Sequence, residues 1–398
     1  MRVTVRPGDS FWLYSRLFAV PLELILDSNP GVDPSRLLPG STVSIPGYTV
    51  AEHRVVAGES LWLIAQRYGT ALNALFALNP GIRPNTLAVG QIVRVPVRVT
   101  RPVVRPMRAY DSAALAEDLD RLTEVYPFVR RRAIGRSVLG KPIEELRIGR
   151  GGRRVHVNGA FHANEWITTP VLVRFLNEYA LALTNGTAVR GLVMAPYYRI
   201  ATLSAVPMVN PDGVDLVIHG PPREQPYRDR VVAINGGSMD FSRWKANIRG
   251  VDLNDQFPAF WEREVARSPA KGPAPRDYPG TAPLTEPEAV AMAQLTRESD
   301  FHRVLAFHTQ GRVIYWGFMG FEPPESERLA VEFARVSGYT PIRYIESYAG
   351  YKDWFIMEWR RPGFTIEAGM GVNPLPLSQL EQIYQECLGI LLAALYAP

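Results

Sequence analysis

The chain has 398 residues, 46% of them hydrophobic, which is enough to bury about two or three domain cores. Its single cysteine, Cys387, excludes an internal disulfide scaffold and a cysteine-rich zinc module. A net charge of +5 identifies no partner, and no apolar run approaches the ~20 residues that span a bilayer, so neither nucleic acid nor membrane is an expected partner.

In chain order, Val3–Val5 reads as a strand and Ser10 as a helix N-cap. Trp12, Leu13 and Leu17, then Leu22, Ile25 and Leu26, indicate two short helices. Asn29-Pro30-Gly31 ends the second, because proline cannot continue a helix and glycine permits the turn. Thr42–Ile45 is a second strand. The pattern then returns. Val5–Pro46 laid on Val55–Pro96 matches at 14 of 42 positions without a gap, so the unit is duplicated. Two βααβ modules are expected, over residues 2–47 and 52–97. Trp12 and Trp62 fall on the apolar helix face and are expected in the module cores. Residues 98–108 are rich in proline and arginine and read as a semi-rigid linker with solvated arginines.

Residues 109–398 alternate strand-like and helical segments. Glu145–Gly149, Val155–Gly159, Val193–Met194, Ala201–Val206, Val304–Thr309, Arg312–Tyr315 and Gly363–Glu367 read as strands. Ala113–Tyr126, Thr168–Leu183, Glu286–Arg297 and Ser326–Ser337 read as helices. The alternation implies an α/β domain with a mixed, mainly parallel sheet flanked by helices. Functional groups in such folds gather at the carboxyl ends of strands.

His162 and Glu165 follow one such strand, three residues apart, a spacing that puts both on one side of a tight turn. An imidazole nitrogen and a carboxylate suit zinc, and a catalytic zinc takes a third protein ligand. His308 ends the apolar run Val304–Phe307 and supplies it. His156 sits within its strand and reads as packed or surface. His53, His219 and His302 lack a partner pattern.

The two Gly-Asp/Glu-Ser and Asn-Pro-Gly patterns resemble LysM modules, which bind N-acetylglucosamine-containing glycans such as peptidoglycan. The resemblance places sugar contacts at Gly8, Asp9, Ser10 and Phe11 with Asn29, Pro30 and Gly31. In the second copy it places them at Gly58, Glu59, Ser60 and Leu61 with Asn79, Pro80 and Gly81. The Asn-Pro-Gly turns read equally as structural.

His162-x-x-Glu165, His308, Asn210-Pro211-Asp212-Gly213, Gly250–Asn254 and Gly363–Glu367 resemble, in order, the motifs of zinc carboxypeptidase A-like metallopeptidases. The resemblance implies one zinc per chain on His162, Glu165 and His308, Glu367 as general base, and Tyr348 as the tyrosine covering substrate. The family's oxyanion arginine follows a tryptophan. Here Trp244 precedes Lys245, so Lys245 or Arg249 takes that role. The family holds a terminal carboxylate with Asn-Arg, whereas Asn254 is followed by Asp255, an anion that should repel it. Lys352, where the family sets side-chain specificity, implies an anionic substrate group. Asp255 with Lys352 suits the ammonium and carboxylate at the far end of diaminopimelate.

Together these features are similar to the γ-D-glutamyl-meso-diaminopimelate peptidase I group. The expected activity is zinc-dependent hydrolysis of the γ-D-glutamyl–diaminopimelate bond in peptidoglycan stems, with the modules raising local concentration on the glycan. A carboxypeptidase trimming wall peptides and a non-catalytic glycan scaffold are the alternatives. A cell-wall or spore-associated location is expected, although MRVTVRPGDS lacks the apolar core of a secretory signal.

Overall fold

The structure is a computed structural model that describes every residue except Pro84. The chain divides into two compact units. One contains Met1–Val104, Leu119–Arg130 and Asn177–Ala195, and the other Arg105–Asp118, Arg131–Leu176 and Pro196–Pro398.

In the first unit each repeat forms its own small core. Strand β1 (Arg2–Thr4) pairs antiparallel with β2 (Thr42–Ser44), and β3 (Tyr48–Arg54) with β4 (Ile92–Arg98). Ser10 Oγ accepts from Leu13 N at 3.1 Å and Ser60 Oγ from Leu63 N at 3.2 Å, so both predicted N-caps form. The tryptophans differ from expectation. Phe11, Tyr14 and Phe18 are the buried stripe of helix Phe11–Phe18, spaced i, i+3, i+7. One residue past Phe11 turns a side chain by about 100°, so Trp12 points outward and is 64% exposed. Trp62 repeats this beside buried Leu61 and Ile64, at 56%. Neither tryptophan is a core residue.

The expected linker is also more ordered than its composition suggests. Strand β4 continues to Arg98, opposite Tyr48. The Arg98 guanidinium lies 4.8 Å from the Tyr48 ring centroid and donates to the Thr184 carbonyl at 3.0 Å. Val103 N donates to Asn177 Oδ1 at 2.9 Å. Arg98 is therefore a pinned side chain and not a solvated one.

The second unit is built on an eight-stranded sheet. Its strands are β5 (Arg130–Arg136), β6 (Pro142–Gly149), β7 (Arg153–Gly159), β10 (Ala201–Val206), β11 (Arg303–His308), β12 (Val313–Tyr315), β13 (Thr340–Ile342) and β14 (Gly363–Glu367). Two short strands of the first unit, β8 (Ala188–Val189) and β9 (Leu192–Val193), pair as a separate hairpin. The order across the sheet is β13-β12-β14-β11-β7-β10-β6-β5. The four central strands β14, β11, β7 and β10 are parallel, and antiparallel joins to β12 and β6 border them. The sheet is mixed and mainly parallel, as the alternation implies. Every residue of β11 is buried, the continuous pattern of a strand covered on both faces.

This topology positions the site. Because β7, β11 and β14 run the same way, their carboxyl ends share one edge of the sheet. His162 follows β7, His308 ends β11 and Glu367 ends β14, opposite His308 in register. Mid-strand His156 is buried against Phe301, with ring centroids 4.7 Å apart, and takes no part in that edge.

Candidate metal centre

Ala160, with φ of 48°, turns the chain out of β7, and a single 3-10 turn at Ala163–Glu165 brings Glu165 back beside His162. His162 Nδ1 lies 2.9 Å from Glu165 Oε1, and His308 Nδ1 lies 3.0 Å from Glu165 Oε2. The two Nδ1 atoms are 3.2 Å apart. Ligand atoms 2.0–2.2 Å from one zinc at tetrahedral angles lie about 3.3 Å apart. The three side chains therefore fit a metal ion, and all three are buried. Each Nδ1 faces its own oxygen of Glu165, so one carboxylate gathers both imidazoles at a single point.

The electrostatics agree. Burial opposes protonation of His162, but the charges of Glu165 and Asp252 outweigh it and push the imidazole up to about 10. Burial alone would raise Glu165, yet His162 and His308 hold its carboxyl below the usual range. Burial pushes His308 down. Asp252, inside the Gly250–Asn254 motif, is a further participant that no local pattern assigns. Its Oδ1 is 3.1 Å from His162 Nε2, which fixes the ring so that Nδ1 faces the cluster. Its other oxygen lies 3.4 Å from Lys245 Nζ.

The cluster opens on a cleft of about 430 Å³ lined also by Glu367, Lys245, Arg243, Arg276 and Asn373. Burial and the nearby Glu165 charge push the Glu367 carboxyl up to about 8. Lys245 is 18% exposed at its side chain. Although burial disfavours its charge, Asp252 and Glu165 hold it protonated. Arg249 is elsewhere. Its guanidinium pairs with Glu286 at 3.4 Å and lines a different cavity with Tyr227 and Tyr278. Of the two expected cations, the cleft contains Lys245.

Other expected residues sit at a distance or are already engaged. Tyr348 lines an adjoining pocket of about 290 Å³ with Phe318, and Ile345 is common to both cavities. Asn254 Oδ1 accepts from Tyr351 N at 3.3 Å and braces the helix Tyr351–Trp359. Lys352 is not an open cation. Its ammonium is buried, donates to the Gly317 carbonyl at 3.0 Å and pairs with the Asp353 carboxylate. Nor is Asp255 a plain anion, since burial, with Asp252 and Glu264 nearby, holds its carboxyl well above the usual range. The repulsion expected of Asp255 is weakened, but it supplies no cation for a terminal carboxylate.

The module positions divide similarly. Phe11 and Leu61 are core residues. Asn29 Nδ2 donates to the Ile25 carbonyl at 2.7 Å and the Ser44 carbonyl at 2.8 Å, and its Oδ1 accepts from Ser44 N at 2.7 Å. Asn79 repeats the pattern with Leu75 and Arg94. Asp9 binds Arg6 and Tyr14, and Glu59 binds His53 and Arg67. Gly8, Pro30, Gly31, Gly58, Pro80 and Gly81 remain exposed.

Residues 115–386 match the zinc carboxypeptidase family, and residues 3–46 and 53–96 each match the LysM domain. The chain is 61% identical over 396 residues to gamma-D-glutamyl-L-diamino acid endopeptidase 1 of Lysinibacillus sphaericus, covering 100% of both chains. Among solved structures it resembles bovine thrombin-activatable fibrinolysis inhibitor, with a TM-score of 0.58 at 19% identity over 73% of this chain and 97% of that one. It also resembles carboxypeptidase A from Helicoverpa armigera, with a TM-score of 0.55 at 17% identity over 88% and 98%. At these identities the two structures support the fold alone.

Proposed function

The chain belongs to the zinc carboxypeptidase family, and we propose that it hydrolyses the γ-D-glutamyl–diamino acid bond of peptidoglycan stem peptides at the His162–Glu165–His308 cluster. The observation that carries this reading is the convergence of two Nδ1 atoms and one carboxylate on a point beside Glu367. The full-length relative named for that bond supplies the substrate class.

We assign one zinc per chain to His162, Glu165 and His308. A zinc ion bound there supplies Lewis-acid polarisation of a carbonyl and acidification of a water. The protein's own groups do the rest. Glu367, at the end of β14 opposite His308 and lining the cleft beside the cluster, accepts the proton of the attacking water and returns it to the leaving amine. Lys245 stays charged at the cleft wall and offsets negative charge as it develops on the carbonyl oxygen. Asp252 holds His162 in the tautomer that leaves Nδ1 free to ligate. Tyr348, in the adjoining pocket, is assigned to cover the substrate. The LysM modules bind the glycan strand and raise the local concentration of stems, which places the working enzyme at the cell wall. No helix among the described residues is long and apolar enough to cross a membrane.

The test is mass spectrometry of products from purified muropeptides, with and without a chelator. Cleavage between γ-D-glutamate and the diamino acid, lost on chelation and restored by zinc, is the expected result. Release of terminal residues instead, abolished by amidating the stem terminus, would identify a carboxypeptidase.

A further inference from the structure

The cleft wall carries more positive charge than the chemistry uses. Its charged lining residues are Glu165 and Glu367, both assigned to the reaction, and the cations Arg243, Lys245 and Arg276. Lys245 is tethered, with Nζ 3.4 Å from Asp252 Oδ2 and 3.6 Å from Asp277 Oδ1. The other Asp277 oxygen accepts from Arg276 Nε at 3.1 Å. Arg276 is thus fixed at the inner nitrogen of its guanidinium, and among the described residues no bond is made by its two terminal nitrogens. Its side chain is 57% exposed. Arg243 makes no side-chain hydrogen bond or ion pair among the described residues.

The wall turns at Asp277, which adopts a left-handed backbone with φ of 61°, a conformation that aspartate tolerates better than most residues. Its N–H is held by Asp252 Oδ2 at 3.3 Å. The same Asp252 carboxylate therefore fixes His162, Lys245 and the turn that presents Arg276. A guanidinium anchored at Nε with both terminal nitrogens open is the geometry that takes a carboxylate bidentately.

We propose that Arg276, assisted by Arg243, binds the free α-carboxylate of the γ-linked glutamyl residue and so selects a γ-glutamyl bond over an ordinary peptide bond. The proposal rests on the substrate class assigned above. A γ-linkage leaves a carboxylate a short methylene chain from the scissile carbonyl, where an α-linked chain offers a neutral amide. Only Asp277 separates the Arg276 fork from Lys245, which is assigned to that carbonyl, so the carboxylate nearest the reacting bond is the one in reach. Lys352, expected to take an anionic group, is already occupied by Asp353 and the Gly317 carbonyl.

The experiment compares L-alanyl-γ-D-glutamyl-diamino acid peptides whose glutamyl α-carboxyl is free or amidated, with a third peptide amidated only on the diamino acid. Zinc-loaded wild type, R276A, R276K and R243A are assayed, with thermal unfolding to confirm the fold. Wild type should prefer the free α-carboxylate by about tenfold to a hundredfold in kcat/KM, the range of one charge-assisted fork. In R276A that preference should fall close to unity, mainly through KM, and R276K should recover part of it. An undiminished preference in R276A, or a preference that follows the diamino acid carboxyl instead, overturns the proposal. If wild type cleaves none of the peptides, the functional reading fails. Calorimetric binding to E367Q then decides the subsite by itself. Tighter binding of the free α-carboxylate, erased by adding R276A, supports it, and equal binding of both forms removes it.

Discussion

Asn29 in the first module and His162 in the cleft are both buried polar residues set in turns, yet their bonds end in different places. Asn29 gives its whole amide to its own module, to the Ile25 carbonyl and to both backbone groups of Ser44. His162 is held on one nitrogen by Asp252, while the other faces Glu165 and His308. The first arrangement is complete within the protein. The second gathers two imidazole nitrogens and a carboxylate at one point, where a cation fits. A polar signature in a sequence marks a structural staple when its bonds run to the neighbouring backbone, and a functional site when they draw ionisable groups from separate strands onto one point.

The widest separation between the two regions should come from the chemistry. E367Q is expected to lower kcat by about a thousandfold, the scale of removing a positioned general base, while bound zinc and binding to insoluble peptidoglycan stay near wild-type levels. Steady-state kinetics and a zinc assay check this. A kcat within tenfold of wild type would move the base elsewhere. D252A should come next. Loss of the carboxylate that orients His162 is expected to weaken zinc binding by about 10- to 100-fold, read by competition with a chelator. It also frees Lys245 and the Asp277 turn, so activity should fall further than zinc occupancy alone explains. If zinc affinity is unchanged, Asp252 does not act through His162.

The module staples give a smaller effect of a different kind. N29A removes bonds to buried and part-buried backbone groups and should destabilise its module by about 1–3 kcal/mol, whereas N79A, whose bonds to Arg94 are exposed, should cost less. Chemical denaturation measures this, with kcat on a soluble muropeptide retained. An equal fall in kcat would mean that the two regions do not behave as separable parts.

The legible parts of the molecule were those written in short local patterns. His162-x-x-Glu165 lies in one turn and His308 at the end of an apolar run, so strand reading placed both at a sheet edge. Asp252 sits in the Gly250–Asn254 motif, but nothing local says that its carboxylate reaches His162. Arg276 and Asp277 were illegible. They lie in an irregular segment without periodicity, brought to the cleft by hydrogen bonds such as Lys245 N to the Pro275 carbonyl. Helix Leu380–Tyr396 went unassigned because Cys387–Leu395 is buried all round, which erases the amphipathic period. Lys352 misled because its partners are the adjacent Asp353 and the remote Gly317, and neither pairing follows from helical spacing.

Trp12 and Trp62 offer the finest test of the comparison, because the predicted effect on the fold is close to nothing. As core residues each would lose about 3–5 kcal/mol on truncation to alanine. At 64% and 56% exposure, W12A and W62A should instead shift stability by no more than about 0.5 kcal/mol. Chemical denaturation separates these values easily. A large exposed indole in the same register of both copies is a surface with no folding role, and an apolar ring face suits a sugar ring. Retention on insoluble peptidoglycan should therefore weaken in either single variant and fall more than additively in the double variant, since two weak modules act together through effective concentration. Unchanged retention in the double variant would return glycan binding to the exposed turns at Gly8, Pro30 and Gly31 and their counterparts Gly58, Pro80 and Gly81, the remaining surface of the module signatures.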